Sequence, residues 1–239
     1  MRQVPHYLII GNGRVARHFQ HYFTLCHLPF SIWHKGMTLD ALKTILPSIT
    51  HILILISDQH IDAFIQENLL TTPARMIHFS GSLISPYAVG AHPLMSFSDT
   101  LYDLAKYQSI PFVVDNDAPA FETILPGLPN ASFKINKHLK AKYHALCVLS
   151  GNFSCLLWQK LFDSLEQEFN LPANIAHAYL QQQTQNLLEN SKTALTGPLV
   201  RNDTLTLKNN LDSLQDDPFQ AIYHSFITCY QQLQSKGKT

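Results

Sequence analysis

Charge is what this sequence has least of. Only 14 % of its residues are Asp, Glu, Lys or Arg, and 17 basic residues offset 17 acidic ones. A chain without net charge creates no global field to gather nucleic acid or an anionic membrane, so neither is expected as a partner. Cysteine is sparse too. Cys26, Cys147, Cys155 and Cys229 have neither the density of a disulfide framework nor the paired spacing of a zinc site. No metal is expected, and the four read as buried thiols in a reducing compartment. The longest aliphatic run, Ile52 to Ile56, suits a buried strand and falls far short of a membrane span. Met1 to Ile10 is too short and too weakly basic for a signal peptide before Gly11 interrupts it. These absences together point to a cytoplasmic protein. Glycine numbers only nine, so two glycines close together carry information. What is abundant is apolar: 46 % of 239 residues, enough for one large core or two smaller ones.

The first half alternates short β runs with helical stretches. Tyr7 to Ile10 is apolar throughout, as a strand buried on both faces should be. A helix is expected from Val15 to Leu25, a strand at Phe30 to His34, and a short helix from Thr38, as N-cap, to the stop at Pro47. His51 to Ile56 reads as the third strand and Asp58 to Leu69 as a helix; further strands are expected at Arg75 to Phe79, Tyr87 to Ala91 and Ile110 to Val114. Repeated strand–helix–strand units imply a mainly parallel sheet covered on both faces. After Phe133 no convincing β run remains. Lys137 to Asn170, Pro172 to Ser191, Thr204 to Leu214 and Pro218 to Gln234 read as helices, the first capped by Asn136. The expected division is an α/β domain over 1–133 and an all-α domain over 134–239.

Directly after the first strand stands Gly11-Asn12-Gly13-Arg14-Val15-Ala16. A lone glycine pattern is weak evidence, but between an apolar strand and a helix it gains a mechanism. Gly11 permits the tight turn, Gly13 admits a pyrophosphate to the backbone, and Ala16 lets the helix pack on the strand with its N-terminus facing the anion. The expected fold is therefore a doubly wound Rossmann domain that binds a dinucleotide. An NAD site would place an acid at the end of the second strand to hold the ribose. This sequence has Trp33-His34-Lys35 there and no acid before Asp40. His34 and Lys35, with Arg14, suit a 2′-phosphate, which favours NADP(H) over NAD(H). Lys35 could equally be a solvated loop lysine.

In an open parallel sheet the ligand lies past the carboxyl ends of the strands. Ser57-Asp58, Ser80-Gly81 and His92-Pro93 occupy those places. Asp58 reads more readily as the N-cap of the helix beginning near Gln59 than as a catalytic acid. Ser80 and Gly81 could present backbone amides to a ring or form a simple turn. His92 can exchange a proton near neutral pH, or can be held by backbone beside Pro93. His18, His21 and His27 lack an acid or cysteine partner and read as surface or half-buried residues. Farther on, Ser150-Gly151-Asn152 interrupts a helix, and His144 and Asn152, eight residues apart, fall roughly 80° apart on an ideal helix and can border one cleft. Gly151 marks either a close approach by another group or a kink. Thr196 to Asp203 forms a polar loop in which Arg201 could grip a carboxylate or phosphate, or pair with Asp203.

Taken in order, Gly11 to Ala16, Asp58 with Ile61, His78 to Ser82, Gly90 to Leu94, Tyr143-His144, Ser150 to Asn152 and Thr196 to Arg201 resemble an uncharacterised bacterial family. It joins a Rossmann-like domain to a helical domain of unknown function. It is related to pyrroline-5-carboxylate reductase and more distantly to the 6-phosphogluconate and β-hydroxyacid dehydrogenases. The resemblance implies a helical domain packed across the cofactor cleft that often builds a homodimer. It suggests that His144 and Asn152 sit where related dehydrogenases keep polar catalytic residues on a long helix; with His92 they are the candidate catalytic residues, and Ser150, Thr196 and Arg201 are the candidate substrate contacts. Two departures stand out: Asn202 replaces a common glycine, and Val148 stands four before Asn152, where the β-hydroxyacid dehydrogenases keep a lysine. The function so implied is an NADP(H)-dependent oxidoreductase acting on a small carboxylate-bearing carbonyl or imine in the interdomain cleft. The alternative is a dinucleotide-binding sensor or interaction protein without turnover.

Overall fold

The computed structural model describes residues 4–236. A seven-stranded sheet organises the first part of the chain. In chain order its elements are β1 (Tyr7–Ile10), α1 (Arg14–Leu25), β2 (Phe30–Trp33), α2 (Leu39–Ile45), β3 (His51–Ile54), α3 (Asp58–Asn68), β4 (Arg75–His78), β5 (Val89–Pro93), α4 (Leu104–Gln108), β6 (Phe112–Asp115), α5 (Phe121–Ile124) and β7 (Ser132–Ile135). The spatial order is β2-β1-β3-β4-β5-β6-β7, parallel except between β5 and β6. The chain leaves β1 toward β2 and returns on the other side to β3. That reversal places the topological switch point at the carboxyl ends of β1 and β3, where a ligand is expected.

Two apolar layers cover the sheet, as the all-apolar β1 requires. Tyr7 and Ile9 face one layer with Phe19, Phe23 and Phe112; Leu8 and Ile10 face the other with Leu42, Ile61 and Ile65. Local signals act as the sequence suggests: the Thr38 side chain caps α2 through the Ala41 amide, and the Asn136 side chain accepts from the His138 amide. The structure adds β7, whose Ser132, Phe133 and Lys134 are exposed, so the inside–outside pattern that marks a strand is missing.

After β7 the chain is helical: α6 (Lys140–Cys147), a π turn at Val148–Asn152, α7 (Phe153–Gln167), α8 (His177–Asn190), α9 (Pro198–Arg201), α10 (Thr204–Ser213) and α11 (Phe219–Lys236). The π turn coincides with Ser150-Gly151-Asn152. The Ser150 hydroxyl donates to the Leu146 carbonyl and Ser154 to the Ser150 carbonyl, the back-bonding that loosens a helical ladder. No atom lies within 4 Å of where a Gly151 Cβ would stand. Asn202 adopts the left-handed conformation (φ 54°) as C-cap of α9, so asparagine meets the need that glycine would.

Two compact units result, Met1–Leu156 and Leu157–Thr239. The first includes β7, which straddles the expected boundary, and α6 and the π turn, which the sequence pattern groups with the helices. Among the described residues one helical stretch, Lys137–Gln167, is long and apolar enough to cross a membrane by length and mean hydropathy. Lys140, Lys142, Ser150, Asn152, Lys160 and Asp163 interrupt it, so it is not apolar all round. The cysteines are not buried thiols: Cys155 and Cys229 are exposed and Cys26 and Cys147 half-buried. His18 departs from expectation the other way. It is buried at 1 % exposure, with Nδ1 2.9 Å from Tyr107 Oη and Nε2 2.8 Å from the Ser98 carbonyl.

Candidate active site

Gly11 ends β1 in a conformation that few other residues adopt, φ +123°. Its amide donates to the Trp33 carbonyl at 2.8 Å, and a Cβ would collide with the Leu55 carbonyl. Gly13 is different: it has φ −77° as N-cap of α1, and nothing lies within 4 Å of its missing Cβ. One glycine answers to the fold and the other leaves space. Ala16 is buried against the sheet. Asn12, Gly13 and Arg14 are exposed at the opening of α1, whose first amides have no side-chain cap. They meet the requirements of a phosphate cradle.

A cavity of about 300 Å³ opens at the carboxyl ends of β1, β3, β4 and β5. Gly13, Arg14, Val15, Ala16, Asp58, Ser80 and His92 line it with Leu55, Ile56, Phe79 and Met95. Seven residues singled out in the sequence thus share one wall. His34 and Lys35 stand at the end of β2, His34 half-buried and Lys35 exposed. The His34 Nδ1 accepts from the Gly36 amide at 3.2 Å, which leaves Nε2–H free to meet an anion. Arg14 is already engaged: its Nε lies 3.3 Å from Asp99, which also takes Arg17 at 2.9 Å. Both pairs are exposed and weakly held, so a phosphate has only a solvated carboxylate to displace.

Two expectations change. Asp58 is not the cap of α3; Ser57 holds that position without a side-chain bond, and Asp58 is the first helical residue. Its carboxylate accepts the hydroxyl proton of Ser80. Ser80 Oγ in turn accepts from the amides of Ser82 at 3.2 Å and Leu83 at 2.9 Å, so its hydroxyl is saturated by the turn it builds. Gly81 is needed for another reason. A Cβ there would stand 3.0 Å from His144 Cγ and closer still to Cδ2.

His144 therefore packs onto Gly81, and beside it stands His92, ring centroids 5.7 Å apart at 88°. Tyr143, the preceding residue of α6, places its hydroxyl 2.9 Å from His92 Nδ1. Burial pushes the His92 imidazole down from 6.5 to about 4, with the neighbouring His144 and Lys140 adding to the effect and Asp58 opposing it. His92 is neutral at pH 7. Burial raises the Tyr143 phenol, which keeps its proton.

Behind this group lies an ion pair that the sequence did not reveal. Lys140, 3 % exposed, sets Nζ 2.8 Å from Asp115 Oδ1, as an ion pair out of hydrogen-bond alignment. The Gly90 amide donates to Asp115 Oδ2 at 3.1 Å. Close by, His78 is fully buried with both ring nitrogens unpartnered, and burial, with Lys140 next, lowers it to about 4. The available signal was spacing: Lys140, Tyr143 and His144 stand at i, i+3 and i+4 of one helix. Asn152 and Ser150 are exposed in the π turn; Thr196 and Arg201 are exposed residues of the second unit.

Comparison with known proteins adds a family match over part of the chain and a fold. Residues 110–228 match the family described as a domain of unknown function, DUF2520. No curated protein sequence matches. Among solved structures, a Bacteroides fragilis protein assigned as an NADP oxidoreductase (BF3122) superposes with a TM-score of 0.75 at 19 % identity, covering 95 % of this chain and 98 % of that one. Pyrroline-5-carboxylate reductase from Streptococcus pyogenes gives 0.58 at 15 % identity over 94 % and 96 %. A reductive aminase from Aspergillus terreus, in complex with NADPH, gives 0.62 at 13 % over 98 % and 95 %. At such identities the likeness establishes the fold: a Rossmann domain followed by helices.

Proposed function

We propose that this chain, a Rossmann sheet followed by helices with a DUF2520 match over residues 110–228, is an NADP(H)-dependent oxidoreductase that reduces or forms a carbonyl or imine in a small molecule. The observation that carries the reading is convergence: the phosphate turn Gly11–Ala16 and the His92–Tyr143–His144 group meet at one end of one sheet. The neighbours named for NADP or bound to NADPH support the cofactor, and the cationic end of β2 supports its 2′-phosphate. The dinucleotide supplies or accepts the hydride. The protein's part is placement and charge. With un-ionised Tyr143 donating to Nδ1, neutral His92 carries its proton on Nε2 and offers it as a hydrogen bond to the reacting oxygen or nitrogen. His144, packed beside it against Gly81, gives or takes the proton that accompanies the hydride. Asn152, of the same unit, is assigned to orienting the substrate.

The test begins with a thermal shift, because a ligand selective for the folded state raises Tm by mass action. At a hundredfold excess over Kd, NADPH should stabilise by about 2.7 kcal/mol, and NADH should do less at equal concentration. No shift with either would end the reading. NADPH consumption on keto acids, cyclic imines and aldehydes then separates an enzyme from a cofactor-binding sensor.

We also assign the exposed faces of the second unit to a second copy of this chain. Among described residues 157–236, only Ser164, Leu165, Ala176 and Leu207 are buried, while Phe169, Ile175, Tyr179, Leu188, Leu205 and Leu233 are each more than half exposed. At about 100 Å² per large apolar side chain, these and their neighbours offer on the order of 1,000 Å² per chain, what one partner of a stable complex buries. Zero net charge sets no repulsion between copies. Light scattering should give twice 27.1 kDa, reduced by Leu188→Glu with Leu233→Glu; a monomeric wild type would refute the assignment.

A further inference from the structure

We propose that Lys140, through its ion pair with Asp115 across Gly90, is a positioning residue that fixes Tyr143 and His144 of α6 against His92 of β5. This deepens the proposed function and rests on its assignment of His92 and His144. Lysine is almost never buried without a partner, yet Lys140 is 3 % exposed. Its ammonium joins three elements. It sits on α6, pairs with Asp115 at the last residue of β6, and crosses β5 at Gly90, where a Cβ would stand 2.9 Å from Asp115 Oδ2 and closer still to Lys140 Nζ. The Gly90 amide completes the junction by donating to Asp115.

The neighbouring contact repeats the geometry one step along. Two residues beyond Gly90 on the same face of β5 is His92. Three and four residues beyond Lys140 on the same face of α6 are Tyr143 and His144. Tyr143 Oη then meets His92 Nδ1 at 2.9 Å, and His144 meets Gly81 and His92. The ion pair sets where the helix starts on the sheet, and hence where its next two functional side chains land. An apolar contact could hold the elements together as well, since hydrophobic replacements of buried ion pairs are often neutral or stabilising. What a charge adds is register and field. The groups acting on His92 are Tyr143, His144 and Lys140 from α6 and Asp58 from α3, and Lys140 is among those that keep the imidazole neutral.

Removing the pair cleanly requires both partners, because Lys140→Met alone leaves Asp115 buried and uncompensated. The double variant Lys140→Met with Asp115→Leu is therefore the main arm, with Lys140→Arg as the conservative one. Ring signals of ¹³C-labelled histidine, assigned by difference with His92→Gln, report the His92 titration in the protein without cofactor. In the double variant we expect it to move up from about 4, kcat to fall tenfold or more, and KM for NADPH to stay within twofold. Lys140→Arg should restore most of both. A folded double variant with an unmoved His92 titration overturns the proposal. The titration arm needs no turnover, so the absence of any reductase activity would defeat the proposed function while leaving this test decisive.

Discussion

Gly11→Ala should abolish NADPH stabilisation and cost the apoprotein about 2–4 kcal/mol, whereas Gly13→Ala should abolish or weaken the first while leaving the second nearly unchanged. The reasoning lies in the two environments. Gly11 holds φ +123°, and its missing Cβ points at the Leu55 carbonyl, with Leu55 C at 2.9 Å. An alanine there must strain its own backbone or push β3 from its bond to β1, in which the Leu55 amide donates to Ile10 at 2.8 Å. Gly13 has an ordinary φ of −77° and open space, so alanine fits the empty fold and even reduces the entropy of the unfolded chain. What it would fill is the path that the proposed function gives to the pyrophosphate. Denaturant midpoints for the apoproteins and thermal shifts with NADPH measure the two effects separately. Equal apoprotein stability for both variants would show that Gly11 is not the residue on which the turn depends.

Second in size is the effect of His92→Ala, for which kcat should drop by 10²- to 10³-fold, about 3–4 kcal/mol of transition-state stabilisation. His92→Gln, which keeps an N–H donor, should retain more. The pH dependence distinguishes this role from ordinary acid catalysis. A histidine whose folded pKa is lowered from 6.5 to about 4 stays neutral down to that value. Between pH 5 and 8 the wild-type kcat profile should therefore carry no inflection from His92. An inflection near 6.5 that vanishes in His92→Gln would assign proton transfer to His92 itself and remove the hydrogen-bonding role. The sequence suggested such proton exchange near neutrality from residue type alone. Burial, not identity, sets the protonation state.

How much of this was legible in sequence follows from what each signal depends on. The strands β1 and β3, the turn at Gly11 and the cap at Thr38 are local, set by composition within a few residues, and the chain shows them without tertiary information. β7 escaped because Ser132, Phe133 and Lys134 of an edge strand are exposed and need not alternate. The site divided in the same way. His92 and His144 stood out as titratable residues beside punctuation, Pro93 and a helix. Lys140 and Asp115 stand 25 residues apart in the sequence with no local signal joining them, and only the pairing of β5 with β6 brings both, buried, to Gly90. Asp58 misled because a carboxylate at a helix start usually caps it; here the Ser80 hydroxyl, contributed by the next strand's exit, claims it instead.

The π turn at Val148–Asn152 carries one residue more than an α-helical turn. Everything beyond it is thereby rotated back by about 100°. On an ideal helix His144 and Asn152 would lie roughly 80° apart; with the extra residue their directions come within about 20° of one another. A single inserted residue thus acts as a phase corrector. It brings Asn152 round toward the stripe of α6 that carries His144, so that two polar side chains two helical turns apart share a direction that an uninterrupted helix would deny them.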